Sequence, residues 1–381
     1  MNLSLQPAIV SARYETFVDQ AGAEHIDLTG GFGYQELTVV HAVDQQAKRM
    51  GLSNRVLISA PLLNFCSTLA KVLPKPLDMS YVCNSGDEAF EGALKLCKGL
   101  KPQGQTLVYI TGGDYGSLTY GRCLSHPEQY PEVVEFLGMR LIGIQNIQQL
   151  KSISRVEDCF AVCYTPLIID AEGRTRTLDA ALVKALSQFA KQAKAPVICM
   201  DSRTALGRTG KTFGFELYGV VPDIEVLGDG LGGNVIPIGT YTCSAKLAHG
   251  VYGSSSPAKH GSTTAGNPLA CAAALAVLDY LHHRDIPSRC LAHSQILRTA
   301  LQDYQPTVAG SWVSIVIPDG IDSATLQADL YARGVYVNAP IQRILNISAP
   351  IIARPESIQK AATIIHEVLQ HDQSNFIAKI A

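Results

Sequence analysis

The sequence predicts an α/β fold, with a large lobe built on a mainly parallel sheet and a smaller α+β lobe after it. Short β-branched runs alternate with longer helical patterns through the middle of the chain, as in a sheet whose strands are joined by crossover helices. The texture changes near Ile286 to a helix, short strand-like runs and a closing helix. And 381 residues, 47% of them hydrophobic, suffice for a large core divided between two lobes.

In chain order, residues 1–45 hold strand-like pieces around Thr16–Val18 and His25–Leu28, then a Gly30-Gly31-Phe32-Gly33 turn. They have too little core to stand alone and are expected to pack with the small lobe. Residues 46–284 form the large lobe. Its strands are expected at Thr106–Thr111, Phe160–Tyr164, Pro196–Asp201, Ile224–Gly228 and Ile238–Cys243, and its helices over Asp87–Lys98, Leu178–Lys194 and Pro268–His283. Asn267 and Pro268 supply a cap and a first-turn proline for the last of these. Residues 285–381 form the small lobe, with strands at Trp312–Ile317, Val335–Asn338 and Ile344–Ser348 and a helix from about Pro355 to Gln370.

A net charge of −2 and a pI near 6.5 give no basic footprint for nucleic acid or anionic membrane. The ten cysteines are scattered, with no Cys-x-x-Cys, and several sit in apolar strand-like runs. There cysteine behaves as a small buried hydrophobe, which fits a reducing cytosol. The opening Met1–Pro7 has neither a basic nor an apolar targeting region. The longest apolar helical stretch, Leu269–Leu278, is too short to span a bilayer. A soluble, cytoplasmic protein is expected.

Two stretches carry a specific likeness. Asn84-Ser85-Gly86-Asp87-Glu88-Ala89 runs into Phe90-Glu91-Gly92-Ala93-Leu94-Lys95-Leu96. Later, Gly207-Arg208-Thr209-Gly210 leads through Pro222-Asp223-Ile224 to Gly230-Leu231-Gly232-Gly233, Pro237-Ile238-Gly239 and His260-Gly261-Ser262-Thr263. In order and spacing these resemble the class III aminotransferases, fold-type-I enzymes of pyridoxal phosphate, over most of residues 15–370. The resemblance implies a large domain with a mainly parallel sheet of the seven-stranded type and a small α+β C-terminal domain. It also implies a homodimer with active sites at the subunit interface.

The family's chemical positions are where this sequence departs. The resemblance places the cofactor-binding lysine in an Ala-Lys-Gly-Leu-Gly-Gly context; here Leu227-Gly228-Asp229-Gly230-Leu231 puts Asp229 in that slot, and a carboxylate cannot form an imine. The nearest lysines, Lys211 and Lys246, lie well outside this turn. Counting back without gaps from Gly207-Arg208-Thr209-Gly210 sets Met200 at the family's ring-nitrogen aspartate, Asp201 at the next glutamate and Arg203 at the glutamine. A slip of one residue would return Asp201 to the ring nitrogen. Asp114, in Gly113-Asp114-Tyr115-Gly116, stands where an aromatic stacks on the cofactor. Asn346 aligns with the arginine that grips the substrate carboxylate, and Arg343 lies three residues earlier. Ser85 and Gly86 open a helix suited to phosphate, but Asp87 beside them would repel a dianion. Thr263, which reaches the partner's phosphate in the family, is retained.

If the fold is kept, Asp114, Tyr115, Asp201, Arg203 and Asp229 share one cleft at the strand ends, where acid–base chemistry with Asp229 as base or acid is expected. Tyr115 would donate to an oxyanion, Arg203 would hold a substrate carboxylate or an aspartate, and the substrate-side set would include Asn346 and Thr263. The plainer alternative is that Asp229 caps its turn, Asp87 caps its helix and Arg203 neutralises Asp201. His260 belongs to a scaffold motif, and His282-His283 end a helix where cations suit the dipole. No metal site is expected.

Three functions follow. The first is an enzyme that does not transaminate and uses no cofactor, doing lyase, cyclase, isomerase or hydrolase chemistry on a small metabolite or biosynthetic intermediate. The second binds pyridoxal or pyridoxamine phosphate noncovalently, held at Ser85, Gly86 and Thr263, with Asp229 in the lysine position. The third is a non-catalytic binding or partner subunit. The acidic replacements point to a neutral or amine-bearing small-molecule ligand.

Overall fold

The computed structural model describes residues 8–53, 57–154, 156–253 and 260–380. The Met1–Pro7 segment, read above for targeting signals, lies outside the described residues. A seven-stranded sheet forms the centre, in the order Met79–Cys83, Gly239–Cys243, Ile224–Leu227, Val197–Met200, Cys159–Tyr164, Thr106–Ile110 and Arg140–Ile144. Gly239–Cys243 runs antiparallel to both neighbours; the other pairings are parallel. The five strands expected from the sequence are present to within one residue at each end. Met79–Cys83 and Arg140–Ile144 were not anticipated. Both are edge strands and neither is fully buried, so they lack the continuous apolar run that betrays a central parallel strand.

Helices cover both faces. Gly86–Leu100 packs across Gly239–Cys243 and Ile224–Leu227, while Ala180–Ala193 lies against Cys159–Tyr164. Pro268–His283 begins where its cap and proline predicted, with the Asn267 side chain accepting from the Ala270 amide at 2.9 Å. It packs on two helices not foreseen in the sequence, Leu37–Arg49 and Ala60–Val72.

In the second lobe an antiparallel sheet of Thr307–Ala309, Trp312–Val316 and Ile344–Ser348 joins the closing helix Pro355–Ile380. The N-terminal strands complete it. Glu24–Asp27 pairs in parallel with Val335–Tyr336, and Ile26 and Leu28 are buried with Val313, Leu345 and Ile365. No helix among the described residues is long and apolar enough to cross a membrane.

One row in the large sheet is unusual. Register places Cys199 beside Tyr164 on one side and Glu225 on the other, all facing the same way. Asp201 follows two residues after Cys199, and the Cys199, Asp201 and Glu225 ligand atoms lie within 4.8 Å of one another. Burial pushes the Glu225 carboxyl well up, helped by the Asp201 charge, and burial lifts Asp201 to about 6. Two carboxyls this close in a dry interior are expected to hold a proton between them.

Two predictions follow from this packing. A Cβ at Gly239 would collide with the Ser85 carbonyl where the helix Gly86–Leu100 starts, so Gly239→Ala should cost on the order of 2 kcal/mol in urea unfolding. The raised carboxyls make the folded state bind protons that the unfolded chain releases. Stability tied to Asp201 is therefore full at low pH and is lost as pH rises through about 6. Glu225→Gln should recover on the order of 1 to 3 kcal/mol relative to wild type between about pH 5 and about pH 8. Parallel pH profiles for the two proteins would mean that the row holds no shared proton.

Candidate active site

Two chambers, of about 710 and 580 Å3, meet at the carboxyl ends of the parallel strands, and Asp87, Ser202 and Arg203 line both. Strand alternation decides which side chains reach them. Met200 lines the larger chamber, so its neighbour Asp201 points behind the strand. Asp201 is fully buried, with its carboxylate accepting from the Gly214 amide at 2.6 Å and from the Thr204 hydroxyl. Asp114 and Tyr115 divide the same way. Asp114 lines the chamber and meets Arg203 at 2.5 Å, both side chains about half exposed. Tyr115 is fully buried and donates to the Ile110 carbonyl at 2.7 Å. Of the five residues expected in one cleft, the structure brings together Asp114, Arg203 and Asp229. It sends Tyr115 and Asp201 into the core.

Asp229 sits in the turn after Ile224–Leu227 and lines the smaller chamber. Its amide donates to the Ser202 hydroxyl at 3.1 Å, and its carboxylate lies 3.8 Å from the Arg208 guanidinium. Arg208 is buried; it donates to the Arg203 carbonyl at 2.7 Å and stacks 4.1 Å from the Trp312 ring. Among the described residues its Nε and Nη2 meet no hydrogen-bond partner, and burial lowers it to about 10. Arg203 therefore pairs with Asp114 and not with Asp201, as the plainer reading had it.

The helix Gly86–Leu100 aims its first turn into the cleft. Ser85 is its cap, accepting from the Glu88 amide at 3.1 Å. Asp87 does not cap it; its carboxylate accepts from the Ser117 amide at 2.8 Å and hydroxyl at 2.7 Å. Gly228 lies so close beneath that a Cβ there would fall 2.5 Å from the Gly86 Cα.

Two expected substrate contacts fall elsewhere. Asn346 is consumed by its own lobe, donating to the Gly173 carbonyl at 2.8 Å and accepting from the Ser314 hydroxyl at 2.6 Å. Its strand is packed against the hairpin at Thr175, and this turns the side chain inward. Thr263 lines a separate small groove with Leu62 and Gly266. Arg343 pairs with Asp319 at the surface. His260 stays within the scaffold, donating from Nε2 to the Glu88 carbonyl at 2.8 Å. Sequence reasoning missed Arg208, Ser117, Ser202 and Trp312. Arg208 was visible in the Gly-Arg-Thr-Gly motif but read as scaffold, and the others carried no local signal.

Residues 4–369 match a family model described as Aminotransferase class-III. Among solved structures the chain is similar to the ornithine aminotransferase of Toxoplasma gondii ME49, with a TM-score of 0.85 and 21% identity over 98% of this chain and 93% of that one. It is similar to the adenosylmethionine-8-amino-7-oxononanoate aminotransferase of Methanocaldococcus jannaschii, with a TM-score of 0.85 and 18% identity over 96% and 93%. A third is an amine transaminase of an uncultivated Pseudomonas species in its pyridoxal-phosphate-bound form, with a TM-score of 0.84 and 19% identity over 97% and 95%. At these identities the likeness shows the fold.

The family match, with that cofactor-bound neighbour, points to pyridoxal phosphate and overturns the expectation that no cofactor is used. The residues present fit such a group at its phosphate end. The Gly86 and Asp87 amides open the helix facing the cleft and meet no acceptor among the described residues, as an anion site requires. The expected repulsion from Asp87 is blunted because its carboxylate is bound to Ser117. The family match spans nearly the whole chain and the fold agrees with it: the protein belongs to the class III aminotransferases.

Proposed function

We propose that this protein binds pyridoxal phosphate or pyridoxamine phosphate without a covalent bond, and that Asp229 takes the place of the family's lysine. The observation that carries the reading is the position of Asp229 in the turn after Ile224–Leu227, lining the same chamber as the open helix amides. No lysine lines either chamber among the described residues. The Gly86 and Asp87 amides, with Ser85, would hold the phosphate, and Met200 and Ser202 would meet the ring. When bound, the cofactor supplies an electron sink for a carbanion beside an amine nitrogen.

The chain's own residues supply the rest. The Asp229 carboxylate moves a proton at the reacting carbon of a small amine or carbonyl substrate, oriented by the Arg208 guanidinium at 3.8 Å. The Asp114–Arg203 pair stands at the junction of the chambers and orders the substrate's polar groups. With no amine nucleophile to exchange with, ordinary transamination is absent. The protein acts as a homodimer: Leu37, Leu52, Leu57 and Leu63 are exposed apolar side chains in the region of the first two helices, as a surface covered by a second copy would be. Thr263, exposed in a separate groove of its own chain, is then free to reach the partner's phosphate. None of the ten cysteines forms a disulfide among the described residues and nine are buried, in keeping with a reducing cytoplasm.

Absorption titration with each cofactor should give saturable binding at micromolar concentration. Borohydride treatment followed by denaturation should leave the protein mass unchanged. A protein mass increased by the cofactor would mean a lysine does form the bond, and would end this reading. Asp229→Asn should retain cofactor binding within about threefold while slowing deuterium exchange at the α-carbon of a bound amine by about 100-fold or more. Unchanged exchange would remove Asp229 from the chemistry.

A further inference from the structure

We propose that the larger chamber is a binding site for a monoanionic ligand with an extended apolar body, its acid group taken by Arg122. This deepens the reading above and rests on it for the reacting end, which would face Asp229 in the smaller chamber.

The charges of the larger chamber give the first argument. Arg203 and Asp114 satisfy each other at 2.5 Å, and Asp114 also accepts from the Gly116 amide at 3.0 Å. Asp87 is bound by Ser117. Arg122 is the chamber's remaining guanidinium, and among the described residues it meets no carboxylate. Its Nε donates to the Tyr130 hydroxyl and its guanidinium lies 5.1 Å from the Tyr130 ring. That leaves a held fork with two terminal nitrogens open, which suits a carboxylate or similar monoanion. A dianion would set its second charge near Asp114, whose partner Arg203 is already engaged.

The walls give the second argument. Leu167, Ile168, Trp312 and Ile341 turn apolar surface into the same space. Its volume of about 710 Å3, part of which the cofactor ring would fill against Met200, falls among cavities of roughly 300–1,000 Å3 that hold ligands of drug size. A chamber with an apolar wall and a single unmatched cation selects a ligand of like pattern: one anionic group on an apolar body.

The test uses a feature of this chain. Trp312 lines the chamber and is the protein's single tryptophan, so its fluorescence reports occupancy without cofactor or turnover. The purified protein is titrated with octanoate, butanoate and octylamine. Octanoate should change the emission saturably and bind at least about tenfold tighter than butanoate, since each buried methylene is worth up to about fourfold. Octylamine should bind at least about tenfold more weakly than octanoate. Arg122→Gln, an exposed position, should weaken octanoate by about tenfold, and Ile341→Ser should shrink the preference for octanoate over butanoate with Arg122 intact. Equal binding of octylamine, an unaltered octanoate affinity in Arg122→Gln, or no response from Trp312 would overturn the proposal. If the octanoate response holds while neither cofactor binds, the function proposed above falls and this inference stands; cofactor binding with no octanoate response overturns this inference alone.

Discussion

The cleft exists because one buried guanidinium is held between two lobes. The Arg208 backbone carbonyl accepts from the Ser311 amide at 2.7 Å, and its side chain stacks on Trp312, donates to Arg203 and approaches Asp229. A Cβ at Gly30 would run into the same guanidinium, so the N-terminal turn is shaped by it as well. That residue has a φ of +94°, a conformation glycine adopts at little cost. A cation taken this far from water costs several kcal/mol unless its partners recover it, and the lowering of Arg208 to about 10 is the mark of that cost. Its ring stacking and the Asp229 carboxylate are the partners that recover it. The lobes, the turn and Asp229 therefore depend on one another through this side chain.

The floor of the cleft has its own constraint. Gly86 and Gly228 pack backbone to backbone with the Ser202 side chain against both, so the helix start and two strand ends meet with no room for a Cβ at either glycine. This keeps the Gly86 and Asp87 amides open to the chamber. Behind that floor, the carboxyls of Asp201 and Glu225 are buried side by side. The large sheet thus keeps its acidic groups on two levels, one facing the ligand space and one sealed in the core, and strand alternation sorts them.

The fold was legible in the sequence wherever a segment is buried on both faces. Val197–Met200 and Cys159–Tyr164 are wholly buried, so their apolar runs stand out against the helices around them. The edge strands and the helices Leu37–Arg49 and Ala60–Val72 were silent because they present mixed surfaces, partly bare in a single chain. The site was legible only where motif spacing fixed the backbone. Asp229, Ser85 and Gly86 fall in turns whose geometry the glycines dictate. Tyr115 and Asp201 were misjudged because a turn and a strand end each send consecutive side chains to opposite sides, and one residue of register separates cleft from core.

The sequence by itself determined the fold class, the buried strands of the large sheet and the family, because each depends on local pattern and on spacing along the chain. Only the tertiary structure decided that Met200 and not Asp201 looks into the cleft, that Arg203 answers Asp114, and that Arg122 meets no carboxylate among the described residues. Those outcomes turn on which side of a strand a residue occupies and on which distant loop folds over it. Asp114 and Arg203 are 89 residues apart in the chain, and nothing in local pattern could pair them before the sheet had brought their loops together.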